Sequence, residues 1–219
     1  MKLISEKLEN IAFGKSKDGY YYFSGPFIQA GIVNGNNRIY NYSKVVTGIN
    51  TYITEKVLTH RALGELNHPL TPEINPKEAS HLIVDLKEQI VDRNKGICNW
   101  IGKAKVLNTP NGKIVQALLE DGVQLGVSTR ALGTLKELNG INEVQSDFKL
   151  CTAADIVYEP SAPEAFIQAI LEKKEWIIDG QGQYRELFIN EYKKQIKKQT
   201  YNETKESLLN TFRKFLTIL

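Results

Sequence analysis

"SHLIVDLKEQIVDRNKGICNWIGKAKVL" (Ser80–Leu107) holds two apolar-rich runs parted by the turn-forming residues Arg93–Gly96, and it reads as a strand pair. What flanks this pair decides the fold class. Upstream, "YYYFSGPFIQAGIVNGNNRIY" (Tyr20–Tyr40) is aromatic and β-branched and closes in the run Asn34–Asn37, which predicts strands with a tight connection. "YSKVVTGINTYITEKVLTHRAL" (Tyr42–Leu63) then repeats Val45, Ile49, Tyr52, Ile53 and Val57 at helical spacing, with Ser43 as the expected N-cap. Downstream, "GKIVQALLEDG" sets Ile114, Leu118 and Leu119 on one helical face and stops at Gly122. "EVQSDFKLCTAADIVYEP" (Glu143–Pro160) alternates as a long strand. "SAPEAFIQAILEKKEW" (Ser161–Trp176) opens with Ser161 and Glu164 at capping-box spacing, which predicts a helix. Short strands interrupted by helices favour α+β over an alternating α/β pattern.

The 219 residues bound the chain to one domain of ordinary size plus an extension, and 42% hydrophobic residues can bury a real core. The net charge of +3 argues against a dedicated nucleic-acid binder. Seven Lys/Arg against three Glu from Asn190 onward place the basic character in the tail and leave the body at −1. The expected division is a body over 1–180 and a basic helical extension over 181–219, with Phe188, Tyr192 and Ile196 as its apolar stripe. Charges interrupt the N-terminal apolar run, and no stretch approaches a membrane span of about 20 apolar residues, so a soluble, cytoplasmic protein is expected. Cys98 and Cys151 form no C-x-x-C pair and read as buried thiols.

Among His60, His68 and His81, the second is placed unlike the others. In "RALGELNHPLTPEINP" (Arg61–Pro76) it precedes Pro69, which pushes it out of the α region, so it leaves the preceding helical pattern extended and stiffly held. That suits a general base that must keep its orientation. His60 lies in a Lys/Arg-rich stretch and reads as exposed. Ser128 in "LGVSTRALG" stands between Gly126 and Gly133, whose flexibility lets backbone N–H groups approach a reacting carbonyl; the other reading is a serine in an ordinary turn. The G-x-S-x-G elbow is missing. Glu65 and His68 make a single Glu-x-x-His, whereas carboxylate-bridged di-iron sites need a second copy, so no metal and no cofactor are expected.

Taken in order, "NGNNRIY", "LGELNHP", "GVSTRALG" and "DFKLCTAADIVYEPSAP" resemble the prohead core proteases of large tailed bacteriophages, serine peptidases related in fold to the herpesvirus assemblins. The resemblance covers roughly Ile28–Ala165. It implies a small, partly open β-barrel surrounded by helices, with His68 as catalytic base, Ser128 as nucleophile and Asp155 as third member. Asp147, Glu65 and Asp85 are the rivals for that third place. It further implies an oxyanion hole of backbone N–H groups with Arg130 as a candidate donor. Cleavage of scaffold, core and capsid proteins after Glu inside the assembling prohead, in the host cytoplasm, follows from the same resemblance. Self-association and self-cleavage after Glu172 are further expectations, the latter resting on Ile170-Leu171-Glu172. The basic tail would then dock on an acidic core, or block the site until cut. No specific nucleic acid and no membrane enter this reading, and the competing class is an inactive capsid or core structural protein of the same fold.

Overall fold

The computed structural model describes residues 1–8, 12–69, 71–157, 175–178 and 184–187. In chain order these give β1 (Lys2–Leu8), β2 (Ala12–Lys15), β3 (Tyr21–Ala30), β4 (Arg38–Ile39), α1 (Tyr42–Tyr52) and β5 (Leu63–Glu65). There follow β6 (Ala79–Asp92), β7 (Ile97–Val106), α2 (Pro110–Glu120), β8 (Gly126–Gly133), β9 (Leu135–Leu138) and β10 (Ile141–Val144). The last are β11 (Lys149–Val157), β12 (Glu175–Ile178) and β13 (Tyr184–Leu187).

The expected strand pair is the β6–β7 hairpin, antiparallel from His81↔Val106 to Asp92↔Ile97. Its turn is built by Asp92, whose carboxylate accepts from the N–H groups of Asn94 (3.0 Å) and Lys95 (3.2 Å), and by Gly96 at φ +66°. Around it forms one sheet in the order β2-β3-β7-β6-β5. A second sheet runs β11-β8-β1-β12-β13, and a third β4-β10-β9. The two larger sheets meet at one corner, where Leu66 bridges Ile156 in parallel and the Asn67 N–H donates to the Ile156 carbonyl at 2.7 Å. Thr129 Oγ1 ties them again by donating to the Phe27 carbonyl at 2.7 Å.

Between these joins lies a core containing Ile4, Phe23, Phe27, Ile83, Trp100, Val127 and Ile156, all at or below 1% exposure. Burying each such side chain contributes about 2 kcal/mol against the entropy of ordering the chain. Helix α1 lays Val45, Ile49 and Tyr52 onto β11, and α2 closes over β6. β5 comes close to both neighbours because residue 64 is glycine. A Cβ there would stand 2.1 Å from Nε2 of His81 and 2.3 Å from the Ala154 carbonyl oxygen, and backbone cannot yield that space.

The α+β class holds. The described strands form three open sheets, and among the described residues they do not close into a barrel. Three local expectations are corrected. The N-cap of α1 is Asn41 in extended conformation, without a side-chain bond, in place of Ser43. Trp176, expected at a helix end, and Tyr184–Leu187, expected to open the helical extension, are strands paired to each other as β12 and β13. Pairing of the two segments with each other across a short connection, and of Glu175 with Lys2 of β1, outweighs the local helical pattern there. The helix expected over 161–176 otherwise falls on residues outside the described ones, as does the tail stripe. No helix among the described residues is long and apolar enough to cross a membrane.

Candidate active site

All eight residues of β8 are buried, so Ser128 stands in a central strand and not in an ordinary turn. Strand geometry puts Ser128 and Arg130 on one face and Thr129 on the other. Thr129 faces Phe27 and Ala153, whose carbonyls its hydroxyl contacts. β11 runs antiparallel beside β8, with Thr152 opposite Arg130 and Asp155 opposite Ser128. Three steps on β11 thus match two on β8. This bulge re-aims the strand and brings the Asp155 carboxylate against the Arg130 guanidinium.

His68 reaches the same place from β5. After the Leu66–Ile156 bridge the chain turns through Asn67 at φ +70°, a conformation that asparagine tolerates better than most residues. Its side chain accepts from the His68 N–H at 3.0 Å, and Pro69 fixes the exit. The ring then sets Nδ1 3.1 Å from Oδ2 of Asp155. A carboxylate only accepts, so Nδ1 carries the hydrogen and Nε2 presents its lone pair. Nε2 is buried and has no hydrogen-bond partner among the described residues. The histidine is stiffly held, as expected, although a strand and a bridge precede it where a helix end was expected.

Behind this pair lies a buried charge cluster. Arg130 is 1% exposed and its Nη2 donates to Oε2 of Glu65 at 2.6 Å and to Oδ1 of Asp155 at 3.3 Å. Its Nε stands 3.0 Å from Oδ2 of Asp155 without the alignment of a hydrogen bond, so that contact is charge attraction alone. Nη1 donates to the carbonyls of Thr71 (2.7 Å) and Glu73 (3.2 Å). The Glu65 N–H donates to Oδ1 of Asp155 at 2.9 Å, and Oε1 of Glu65 accepts from the Asn75 N–H at 2.6 Å. Burial alone would raise the pKa of Asp155. The Arg130 charge, then His68 and the Glu65 N–H, outweigh it and hold the carboxyl below its usual value.

Four of the expected site residues therefore converge: His68 and Asp155 in contact, Arg130 on Asp155, and Ser128 opposite Asp155 in register and on the Arg130 face. Arg130 spends its donors on carboxylates and carbonyls within the protein. Of the rivals for the acid, Glu65 belongs to the cluster through Arg130. Asp147 instead accepts from Thr134 N and Oγ1, at 2.9 and 2.6 Å, and Asp85 pairs with Lys87 at 2.6 Å on the surface. His60 is exposed, Cys98 and Cys151 are buried thiols, and Glu172 lies outside the described residues. Sequence reasoning did not find Glu65 as the partner of Arg130. The period-2 relation of Arg130 to Ser128 was the available signal, but it is readable only once β8 is known to be a strand.

His81 is fully buried and structural. Nε2 donates to the Ala154 carbonyl at 2.9 Å, which leaves Nδ1 to accept from the Ser80 hydroxyl at 2.9 Å. Burial pushes its pKa down to about 4, against a smaller opposing pull from Asp155 and the Ala154 bond. Between pH 6.5 and 4 the unfolded chain binds a proton that the folded chain refuses. This part of the stability is full above pH 6.5 and is lost as the pH falls to about 4, by about 3 kcal/mol in all. Urea midpoints at pH 7.5 and 5.0 should drop steeply in wild type and less in His81→Gln; equal drops would contradict this assignment.

The sequence pattern of the prohead core protein serine protease family matches residues 2–175. The chain belongs to that family. It is 37% identical over 149 residues to the prohead core protein protease of Enterobacteria phage T4, a match covering 67% of each chain. The solved structure of the bacteriophage T4 capsid assembly protease, gp21, aligns with a TM-score of 0.62 at 31% identity, covering 72% of this chain and 98% of that one. This member of the prohead core protein serine protease family is thus a serine-type peptide hydrolase with the mixed α+β fold of its T4 relative.

Proposed function

We propose that this protease cleaves core, scaffold and capsid proteins inside the prohead, through Ser128, His68 and Asp155. The observation that carries the reading is the 3.1 Å contact of His68 Nδ1 with a buried Asp155 that stands opposite Ser128 in register. In the reaction Nε2 of His68 takes the Ser128 proton as Oγ attacks the peptide carbonyl. The positive charge so gained lies beside Asp155, whose carboxylate also fixes the tautomer. The tetrahedral oxyanion collapses to an acyl-enzyme as His68 returns the proton to the leaving amine. Water, deprotonated by the same Nε2, then releases the acid. Ser128 is only 1% exposed, so a peptide reaches it once its cover opens, which fits an enzyme switched on during assembly. The inactive structural protein is disfavoured by the intact His68–Asp155 pair.

The finer reading extends to specificity and architecture. Cleavage follows Glu with an aliphatic residue two positions upstream, Glu172 is a self-cleavage site, and the segment over 181–219 is a removable basic extension. The two large sheets, joined at Leu66–Ile156 and Thr129–Phe27, support a partly open, assemblin-like barrel. Mass spectrometry of the purified chain after long incubation at high concentration tests the specificity. Fragments ending in Glu are expected, among them one ending at Glu172. Cuts at unrelated residues would contradict the specificity, and an uncut "LEKKEW" beside cuts after other glutamates would remove Glu172 alone.

A further inference from the structure

We propose that Arg130, held in place by Glu65, is a positioning residue that sets both partners of the His68–Asp155 pair, and is not a donor to the oxyanion. The inference rests on the triad reading above and adds to it how the pair is aimed. On one side, Arg130 Nη2 and Nε hold the two oxygens of Asp155, which also receives the Glu65 N–H. On the other side, Arg130 Nη1 and the Glu65 carboxylate hold Thr71, Glu73 and Asn75, the stretch that follows His68-Pro69. His68 is thus anchored before by the Asn67–Ile156 bond and after by this clamp. One guanidinium contacts the acid and the chain that carries the base. Nothing smaller than its planar fork reaches all of these groups, and a lysine ammonium cannot reproduce the paired geometry. Its two terminal nitrogens already donate to the Thr71 and Glu73 carbonyls and to the Glu65 and Asp155 carboxylates, which leaves none of their N–H groups for an oxyanion.

Steady-state hydrolysis of a fluorogenic peptide, copied from a site at which the wild-type chain cuts, tests the clamp. In Arg130→Lys, kcat should fall about 10- to 100-fold with KM within about twofold, since a small misplacement of reacting groups costs that much. If Arg130 acts only through the pair, Asp155→Asn combined with Arg130→Lys should be no slower than Asp155→Asn alone. A second full loss in the double variant, or a change in KM with kcat intact, would overturn the proposal. The groups facing Asp155 are Arg130, His68, Glu65, His81 and, from α1, Tyr52. In Arg130→Gln the two buried carboxylates lose their shared cation, so the acid limb of the kcat/KM profile should rise by more than about one pH unit. In Arg130→Lys, which keeps the charge, it should stay. An unmoved limb in Arg130→Gln also counts against the clamp. Near-UV circular dichroism checks folding; should the Arg130 variants unfold, Glu65→Gln carries the test, with a loss of kcat expected and an unchanged kcat overturning. Full activity of Asp155→Asn would sink the triad reading itself, whereas an inactive Asp155→Asn beside a fully active Arg130→Lys would sink the clamp alone.

Discussion

Replacing Ser128 by alanine should remove peptide cleavage almost completely, with kcat down by about 10⁶ if the serine works as one unit with its base. The fold should survive. Ser128 lies within β8, whose backbone pairs with β1 on one side and β11 on the other, and alanine keeps that ladder. Losing one hydroxyl from a buried strand costs about 1–2 kcal/mol at most. Activity against a peptide substrate and a thermal unfolding curve therefore give opposite answers: a lost rate and a nearly unchanged midpoint. A variant that unfolds would show Ser128 to be structural, and one that still cuts would place the nucleophile elsewhere. The same variant should leave the chain whole during incubations in which wild type fragments.

The second large effect is expected at Asp155. Asp155→Asn preserves size but offers an amide where the carboxylate accepted from His68 Nδ1. The amide N–H₂ turned toward the ring favours the tautomer with the hydrogen on Nε2, which can no longer take the serine proton. In triads of this kind that exchange lowers kcat about 10⁴-fold. The acid is also held ionised by Arg130. Its stabilising contribution is present above the ordinary carboxylate range and is lost only as pH falls through the depressed folded value. Activity should therefore not fail at mildly acidic pH through protonation of Asp155. The check is kcat for wild type and Asp155→Asn across pH 5–9, where a variant within tenfold of wild type would remove Asp155 from the mechanism.

How far these residues were readable from the chain differs by element. The β6–β7 hairpin was legible because its turn, Arg93–Gly96, is local and punctuated. The existence and end of α2 were legible from Gly122, which stands at φ +80°, but its inward face was not: Val115 is buried, whereas Ile114, expected beside Leu118 and Leu119, is exposed. The place of β1 between β8 and β12 was not legible, since pairing Lys2 with Gly133 and Glu175 spans most of the sequence. β8 was left between two glycine-bearing turns with no strand assigned, because a strand buried on both faces shows no alternation and its two glycines look like punctuation. His68, Ser128 and Asp155 were named through the order of four family motifs. Their stretch of contact with Glu65 was hidden, because the bulge between Thr152 and Asp155 that aims the acid leaves no mark in the sequence. The exposed far half of β6, with Ile90 and Val91, likewise breaks the expectation that apolar residues in a strand pair are buried.

The triad is tested most directly by labelling the actively cleaving protein with an organophosphorus fluoridate and mapping the adduct by mass spectrometry. The reagent phosphorylates an activated serine and releases fluoride. A single adduct on Ser128, absent from His68→Ala, is the expected result. A label on another residue, or cleavage that continues with Ser128 fully modified, would contradict it.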